Sequence, residues 1–150
     1  GIPIALRERQ QGYLIWQEFV PDNAGDWRVI VMGDYVMILR RWNRPDVPFA
    51  SGSGNNAPVT VLDDDARDAA RLAVEISAAL NTRWQAYDFV RDPRDGKMKV
   101  LEMSASWVDE AYNACPLFDA QTLDATERTG AEWCEIAVDE LERMHRCKTG

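Results

Sequence analysis

Stretches of apolar residues, either continuous or alternating with polar ones, predict five β-strands along the chain. They cover residues 13–20, 27–32, 35–42, 84–90 and 98–104. Only Gly33-Asp34 separates the second stretch from the third, and a two-residue connection with glycine first is typical of a type II′ hairpin turn. Because side chains alternate between the faces of a strand, one face of this hairpin is apolar and is the predicted core: Trp27, Val29, Val31, Val36 and Ile38.

The opposite face of the same hairpin is charged at one end. The two-residue turn pairs Arg28 with Leu39 and Asp26 with Arg41. The two arginines therefore lie diagonally on one face, with a carboxylate beside them.

Apolar residues at three- and four-residue steps predict two helices. The first covers about residues 64 to 81 and begins at Asp63-Asp64-Asp65, where acidic residues suit the N-cap and the helix dipole. The second covers about residues 131 to 146, and its apolar side is formed by Trp133, Ile136, Ala137, Leu141 and Met144. That side packs on the sheet or on a partner. The order of elements predicts an α+β fold, an antiparallel β-sheet flanked by two main helices that lie mainly on one side.

The length of 150 residues suits a single domain, and 46% hydrophobic residues can form a substantial core. The net charge of −8 argues against nucleic-acid or anionic-membrane binding. No apolar run approaches the roughly 18 residues of a membrane span. Three cysteines without close spacing and one histidine supply a zinc site poorly, so we expect reduced thiols and a cytoplasmic location.

The last predicted strand pair carries two carboxylates that are candidate metal ligands. A hairpin of residues 84–90 and 98–104 brings Asp88 close to Val100, Glu102 and Ser104, which alternation places on one face. Carboxylate and hydroxyl oxygens are ligands that Mg²⁺ prefers, especially beside a phosphate. The spacing alone favours two solvated acids on the polar face of a sheet, since charged residues are mostly exposed, and only the rest of the chain favours a metal site.

A basic segment leads into the loop of residues 43–58. Arg40, Arg41 and Arg44 precede a glycine- and serine-rich stretch at residues 51–56. Such a stretch serves either as a flexible surface loop or as a nest of backbone N–H groups for phosphate.

Four segments together resemble the C-terminal half of ATP-grasp ligases. Residues 17–20 resemble the hinge strand of that family, residues 26–28 the Asp-x-Arg opening of its hairpin, residues 87–89 its first metal-ligand strand and residues 102–104 its second. The resemblance implies that backbone groups of Glu18 and Val20, with Gln17, bind adenine. It implies phosphate binding by Arg28 and Arg41, and Mg²⁺ binding by Asp88, Glu102 and Ser104. The implied reaction uses ATP to join a carboxylate to an amine through an acylphosphate.

A narrower likeness is to ATP-grasp proteins of bacterial polysaccharide biosynthesis. Their arginine, Asn-Arg-Pro and Ala-Ser-Gly-Ser-Gly segments resemble Arg41, residues 43–45 and residues 50–54, and they share Glu-x-Ser and a later Cys-Pro like Cys115-Pro116. Phe49 stands where they have arginine. The lysine-bearing subdomain and the glycine-rich lid of the family have no counterpart in this sequence. We therefore expect residues 1–150 to be the C-terminal portion of a larger ATP-grasp protein.

Three other interpretations remain open. A non-catalytic nucleotide-binding or scaffold module keeps the fold without turnover. A protein kinase is suggested by Asp88-Phe89, but Val90 replaces the glycine of Asp-Phe-Gly and no His-Arg-Asp segment lies upstream. A plain interaction domain places Trp84, Trp107 and Trp133 in its core.

Overall fold

A computed structural model describes residues 16–45, 55–107 and 112–149, with side chains described to residue 146. Within these ranges the chain forms seven strands and two α-helices. They are β1 (Gly25–Met32), β2 (Tyr35–Trp42), β3 (Asn56–Pro58), α1 (Asp64–Ala79), β4 (Trp84–Arg91), β5 (Met98–Ser104), β6 (Pro116–Asp119), β7 (Ala125–Thr129), a 3₁₀ turn (Gly130–Glu132) and α2 (Trp133–Thr149).

The described strands form one antiparallel sheet in the order β5-β4-β1-β2-β6-β7, with β3 paired to β2. The predicted register of the β1–β2 hairpin is confirmed, since Arg28 pairs with Leu39 and Asp26 with Arg41. Gly33 has a φ of 61° in the turn, a value that glycine adopts without steric cost. The α+β class and the antiparallel sheet are therefore confirmed.

Helix α1 covers the face of the sheet that was predicted to be the core. Asp63 caps the helix, because its side chain accepts a hydrogen bond of 2.7 Å from the backbone N–H of Ala66. The side that meets the sheet carries small residues, Ala66, Ala69, Ala70 and Ala73, all buried. They pack against the predicted core residues of β1 and β2. Small side chains let the helix lie close to the strands.

The opposite face of the sheet has its own core, so the prediction of helices mainly on one side is wrong. Ile30, Met32, Met37 and Leu39 are buried there and pack with Ile136 of α2. Strands β1 and β2 are apolar on both faces over this part of their length, and both faces need a cover. One helix therefore lies on each side of the sheet.

Several predicted boundaries are wrong. Residues 16–20 of the predicted first strand form no strand, and Trp16 and Phe19 are 86% and 59% exposed; residues 13–15 lie outside the described part. Helix α1 ends at Ala79, since Asn81 has a φ of 52°. Strand β3 forms within the predicted loop of residues 43–58, and strands β6 and β7 form where no strand was predicted. The glycine- and serine-rich residues up to 54, and Phe49, lie outside the described residues.

No helix among the described residues is both long enough and apolar enough to span a membrane.

Candidate functional site

The predicted site residues meet at one end of the sheet, where β1, β2, β4 and β5 lie beside the segment of residues 16–23. A cavity of about 310 Å³ opens there. Of the residues singled out in the sequence, the cavity is lined by Gln17, Glu18, Val20, Asp26, Arg41, Asn43, Asp88 and Glu102. Arg28 and Ser104 are not part of the lining, but each contacts a residue that is. The structure therefore brings the candidate residues together, and their ligands remain predictions.

Asp88 lies at the centre of the charged cluster. Strand pairing places Arg28 directly opposite Asp88, and the Arg28 Nη1 atom lies 3.5 Å from Asp88 Oδ1. The Nη2 atom of Arg41 lies 2.7 Å from Asp88 Oδ2. All three side chains are at most 15% exposed, so their charges attract each other through a medium far less polar than water.

Asp26 holds Arg41 from the other side. The Nε atom of Arg41 donates to Asp26 Oδ1 at 2.5 Å. Burial raises the pKa of Asp26, although the Arg41 guanidinium opposes this. Burial also disfavours the Arg41 cation, but Asp26 and Asp88 outweigh it and raise the pKa of Arg41. Arg41 is therefore a fixed cation, oriented by two carboxylates.

Two polar atoms of this cluster are buried without a hydrogen-bond partner. They are the Nε donor of Arg28 and the Oδ1 acceptor of Asp88. An unsatisfied buried polar group costs about 1 to 3 kcal/mol, so native proteins keep few of them. The Arg28 Nε donor, and the Asp88 Oδ1 acceptor held only by its 3.5 Å ion pair with Arg28, can therefore both accommodate a charged ligand.

A β-bulge decides which residues of β5 share a face with Glu102. Asp88 pairs with Glu102 but Phe89 pairs with Val100, so Leu101 is an extra residue in β5. Val100 consequently packs on the α1 side with Phe89, and the prediction that Val100 shares a face with Glu102 is wrong. Glu102 keeps its place opposite Asp88. It is exposed, and its Oε1 accepts a hydrogen bond of 2.9 Å from the Ser104 hydroxyl.

The predicted hinge segment forms one wall of the cavity without joining the sheet. The Gln17 side-chain amide donates to the carbonyl of the bulge residue Leu101 at 3.3 Å. Glu18 accepts a hydrogen bond of 2.5 Å from Arg94, in the turn between β4 and β5. The carbonyl of Val20 accepts a hydrogen bond of 3.1 Å from the side chain of Asn23. Side-chain hydrogen bonds therefore hold residues 17–20 in place, whereas the sequence predicted that these residues belong to a strand.

Sequence reasoning gave no binding role to the residues that join this wall to β2. The Asn43 side chain donates to the carbonyl of Asn23 at 2.6 Å. A Cβ on Gly25 would lie 1.9 Å from the carbonyl oxygen of Arg41, so only glycine fits there. A glycine at the start of an apolar strand is the one sequence signal that marks this close approach.

Tyr112 and Cys115 are buried near the same end of the sheet. Burial raises the pKa of Tyr112, while Arg28 and Arg41 lower it. Burial raises the pKa of Cys115 to about 11, so its thiol is protonated and unreactive at neutral pH. Neither residue takes part in the proposal below.

Among residues 16–45, 55–107 and 112–149, no cluster of three or more His, Cys, Asp or Glu side chains is arranged to hold a metal ion. Asp88 and Glu102 are therefore two protein carboxylates that would need further oxygen ligands from elsewhere.

No protein-family model matches this chain, and the search of curated proteins found no match either.

Proposed function

We propose that this cavity binds Mg²⁺-ATP, and that the chain is the C-terminal part of an ATP-grasp ligase that joins a carboxylate to an amine in polysaccharide biosynthesis. The observation that carries the proposal is the single cavity lined by Arg41, Asp88, Glu102 and residues 17–20. These residues are far apart in the sequence, and the sequence pattern predicts each of them to belong to the site.

The arginines provide the phosphate-binding part of the proposal. A guanidinium group binds phosphate oxygens through parallel N–H donors. Arg41 is held in one orientation by Asp26 and Asp88. The buried Nε of Arg28 is a donor without a partner, which a phosphate oxygen would satisfy.

Asp88 and Glu102 provide the metal-binding part. They are directly opposite each other on neighbouring strands, and Asp88 Oδ1 has no hydrogen-bond partner. Mg²⁺ usually binds one or two protein carboxylates together with substrate phosphates and water, so a pair fits it. When bound by these carboxylates and the Ser104 hydroxyl, the ion would neutralise charge on the terminal phosphates.

The proposed reaction transfers the γ-phosphoryl group of ATP to an oxygen of the substrate carboxylate. The resulting acylphosphate is attacked at its carbonyl carbon by the amine, and inorganic phosphate leaves as the amide bond forms. The role of Arg28 and Arg41 is to position the phosphates and to offset their charge, which accounts for much of the rate in phosphoryl transfer.

Calorimetric titration of the full-length gene product with ATP tests the binding step, with Mg²⁺ and with a chelator. We expect binding that Mg²⁺ strengthens, that Arg41→Ala weakens by about tenfold or more, and that Glu102→Gln makes insensitive to Mg²⁺. Arg71→Ala and Glu127→Gln alter exposed side chains on α1 and β7 and serve as matched controls. Wild-type protein that binds no ATP at millimolar concentration contradicts the proposal.

A non-catalytic nucleotide-binding or scaffold module is the second candidate. It is favoured by the ion pair at 2.7 Å that already holds Asp88 to Arg41, because this contact occupies a carboxylate that the ligase would need for the metal ion. Release of ADP separates the two candidates. A ligase releases ADP with some pair of carboxylate and amine, and loses this in Glu102→Gln, whereas the module binds ATP and releases none.

A further inference from the structure

Both oxygens of Asp88, the buried carboxylate of the proposed metal site, face guanidinium groups. The Oδ2 atom lies 2.7 Å from Arg41 Nη2. The Oδ1 atom is buried and lies 3.5 Å from Arg28 Nη1. The two arginines are at most 15% exposed, so a cation that approaches Asp88 meets two positive charges through a medium far less polar than water.

Glu102, the second carboxylate of the proposed metal site, is the open one. It is exposed, and its Oε1 atom accepts a hydrogen bond of 2.9 Å from the Ser104 hydroxyl. Mg²⁺ gives up its water reluctantly and usually binds one or two carboxylates together with substrate phosphates. While the arginines engage Asp88, a free ion meets one accessible carboxylate of this pair. We therefore expect the nucleotide-free chain to bind Mg²⁺ weakly.

The contacts of Arg41 allow one partner to be exchanged while the other is kept. Its Nε atom donates to Asp26 at 2.5 Å, whereas its Nη2 atom pairs with Asp88. Phosphate and carboxylate oxygens bind the same N–H donors of a guanidinium group, so they compete for Nη2. Arg41 and Asp88 line the same cavity, and a phosphate group that enters it reaches this contact.

We propose that Arg41 closes the metal site of the nucleotide-free chain, and that the site opens when phosphate oxygens replace Asp88 at Arg41 Nη2. This inference rests on the proposed binding of Mg²⁺-ATP. Asp26 is the positioning residue, because it keeps Nε in place while Nη2 changes partner. The metal ion consequently binds together with the phosphates or after them. By thermodynamic linkage, the metal ion and the phosphates each strengthen the binding of the other.

Mn²⁺ binding to the nucleotide-free, full-length gene product tests the closure, followed through the electron paramagnetic resonance signal of free Mn²⁺. Mn²⁺ prefers the same oxygen ligands as Mg²⁺. We expect Arg41→Gln to bind Mn²⁺ about tenfold or more tightly than wild type, because a cation beside Asp88 is removed. Adding Glu102→Gln should abolish the gain. Arg71→Gln is the matched control, since it removes the same charge from an exposed position on α1. Circular dichroism verifies that each variant is folded.

Nitrogen-15 NMR of the arginine side chains tests the exchange in the wild-type protein, without any substitution. Inorganic triphosphate with a chelator should shift the Nη signals of Arg41. The Nε signal should shift less, because Nε keeps its hydrogen bond to Asp26. Millimolar Mg²⁺ alone should leave the signals of Arg41 unchanged.

Three results would overturn the closure of the site by Arg41. The first is a wild type that binds Mn²⁺ as tightly as Arg41→Gln, and the second is a shift of the Arg41 signals with Mg²⁺ alone. The third is a gain in Arg41→Gln that persists after Glu102→Gln, because the ion then binds elsewhere. A wild type that binds no ATP contradicts the proposed function instead. The Mn²⁺ measurement uses no nucleotide, so the two failures are distinguishable.

Discussion

Replacing Asp88 with asparagine tests the charged cluster most directly. The side chain is only 9% exposed and is shared by Arg41 and Arg28. Asparagine keeps its size and one oxygen while removing the charge. The change leaves Arg41 with its ion pair to Asp26 and removes the ion pair between Arg28 and Asp88.

The expected loss of unfolding free energy follows from the burial of the pair. Removing one partner of a buried ion pair costs about 3 to 5 kcal/mol, because the other charge stays buried without compensation. Arg41 keeps its contact of 2.5 Å with Asp26, which offsets part of that cost. We therefore expect a loss of about 2 kcal/mol.

Urea unfolding followed by tryptophan fluorescence measures this loss. The matched control is Asp34→Asn, which breaks the pair with Arg83 at a carboxylate 66% exposed and should cost at most about 1 kcal/mol. A loss below about 0.5 kcal/mol for Asp88→Asn, with an unchanged dependence on urea, would refute the view that the cluster is a coupled buried network.

The same variant also tests the ligand assignment. Because Asp88 competes with any anion for Arg28 and Arg41, Asp88→Asn should bind inorganic triphosphate more tightly than wild type in the presence of a chelator. It should also lose the strengthening by Mg²⁺, since one of the two carboxylates is gone. If Asp88→Asn bound triphosphate more weakly than wild type in the presence of the chelator, this would contradict phosphate binding by Arg28 and Arg41.

Three further predictions concern two walls of the cavity and the turn between β4 and β5 beside it. Gly25→Ala places a Cβ 1.9 Å from the Arg41 carbonyl, so we expect a loss of about 2 kcal/mol or more in urea unfolding, and an unchanged midpoint would contradict this contact. Glu18→Ala removes the hydrogen bond of 2.5 Å from Arg94 and leaves the bonds of Arg94 to Asp92 in place, so residues 16–20 should become more sensitive to limited proteolysis while the melting temperature changes little. Hydrogen bonds from Arg94 lower the pKa of Asp92 to about 2, below its ordinary 3.8, so its contribution to stability is present above pH 3.8 and is lost as the pH falls toward 2. Asp92→Asn should therefore differ from wild type in urea midpoint above that range and converge with it below.

The hairpin of β1 and β2 shows how much the local pattern can predict. Glycine at the first turn position and the alternation on either side determined the register, and with it the approach of Asp26 to Arg41. The start of α1 at Asp63 was equally clear, because a side chain that caps a helix acts over three residues. The approach of Asp88 to Glu102 was predicted from the hairpin and the two-residue period of its strands, whereas their direct pairing was not.

The exposed hinge segment and the bulge in β5 show where the local pattern fails. Residues 16–20 have the composition of a strand, but they are fixed by side chains of Gln17 and Glu18 that bond to distant residues. The bulge at Leu101 turns Val100 away from Glu102, and nothing in the alternation of 98–104 signals it. The hinge segment depends on partners 76 and 84 residues away in the chain, and the bulge depends on how β5 pairs with β4.

The sequence by itself determined the register of the β1–β2 hairpin, the two faces of these strands and the grouping of Asp26, Arg28 and Arg41, because these depend on a turn and a period of a few residues. Only the tertiary structure decided that the second helix covers the opposite face of the sheet and that part of its apolar side stays exposed. Hydrophobic burial has no direction, so an apolar stripe shows that a helix needs a partner surface but not which surface it meets.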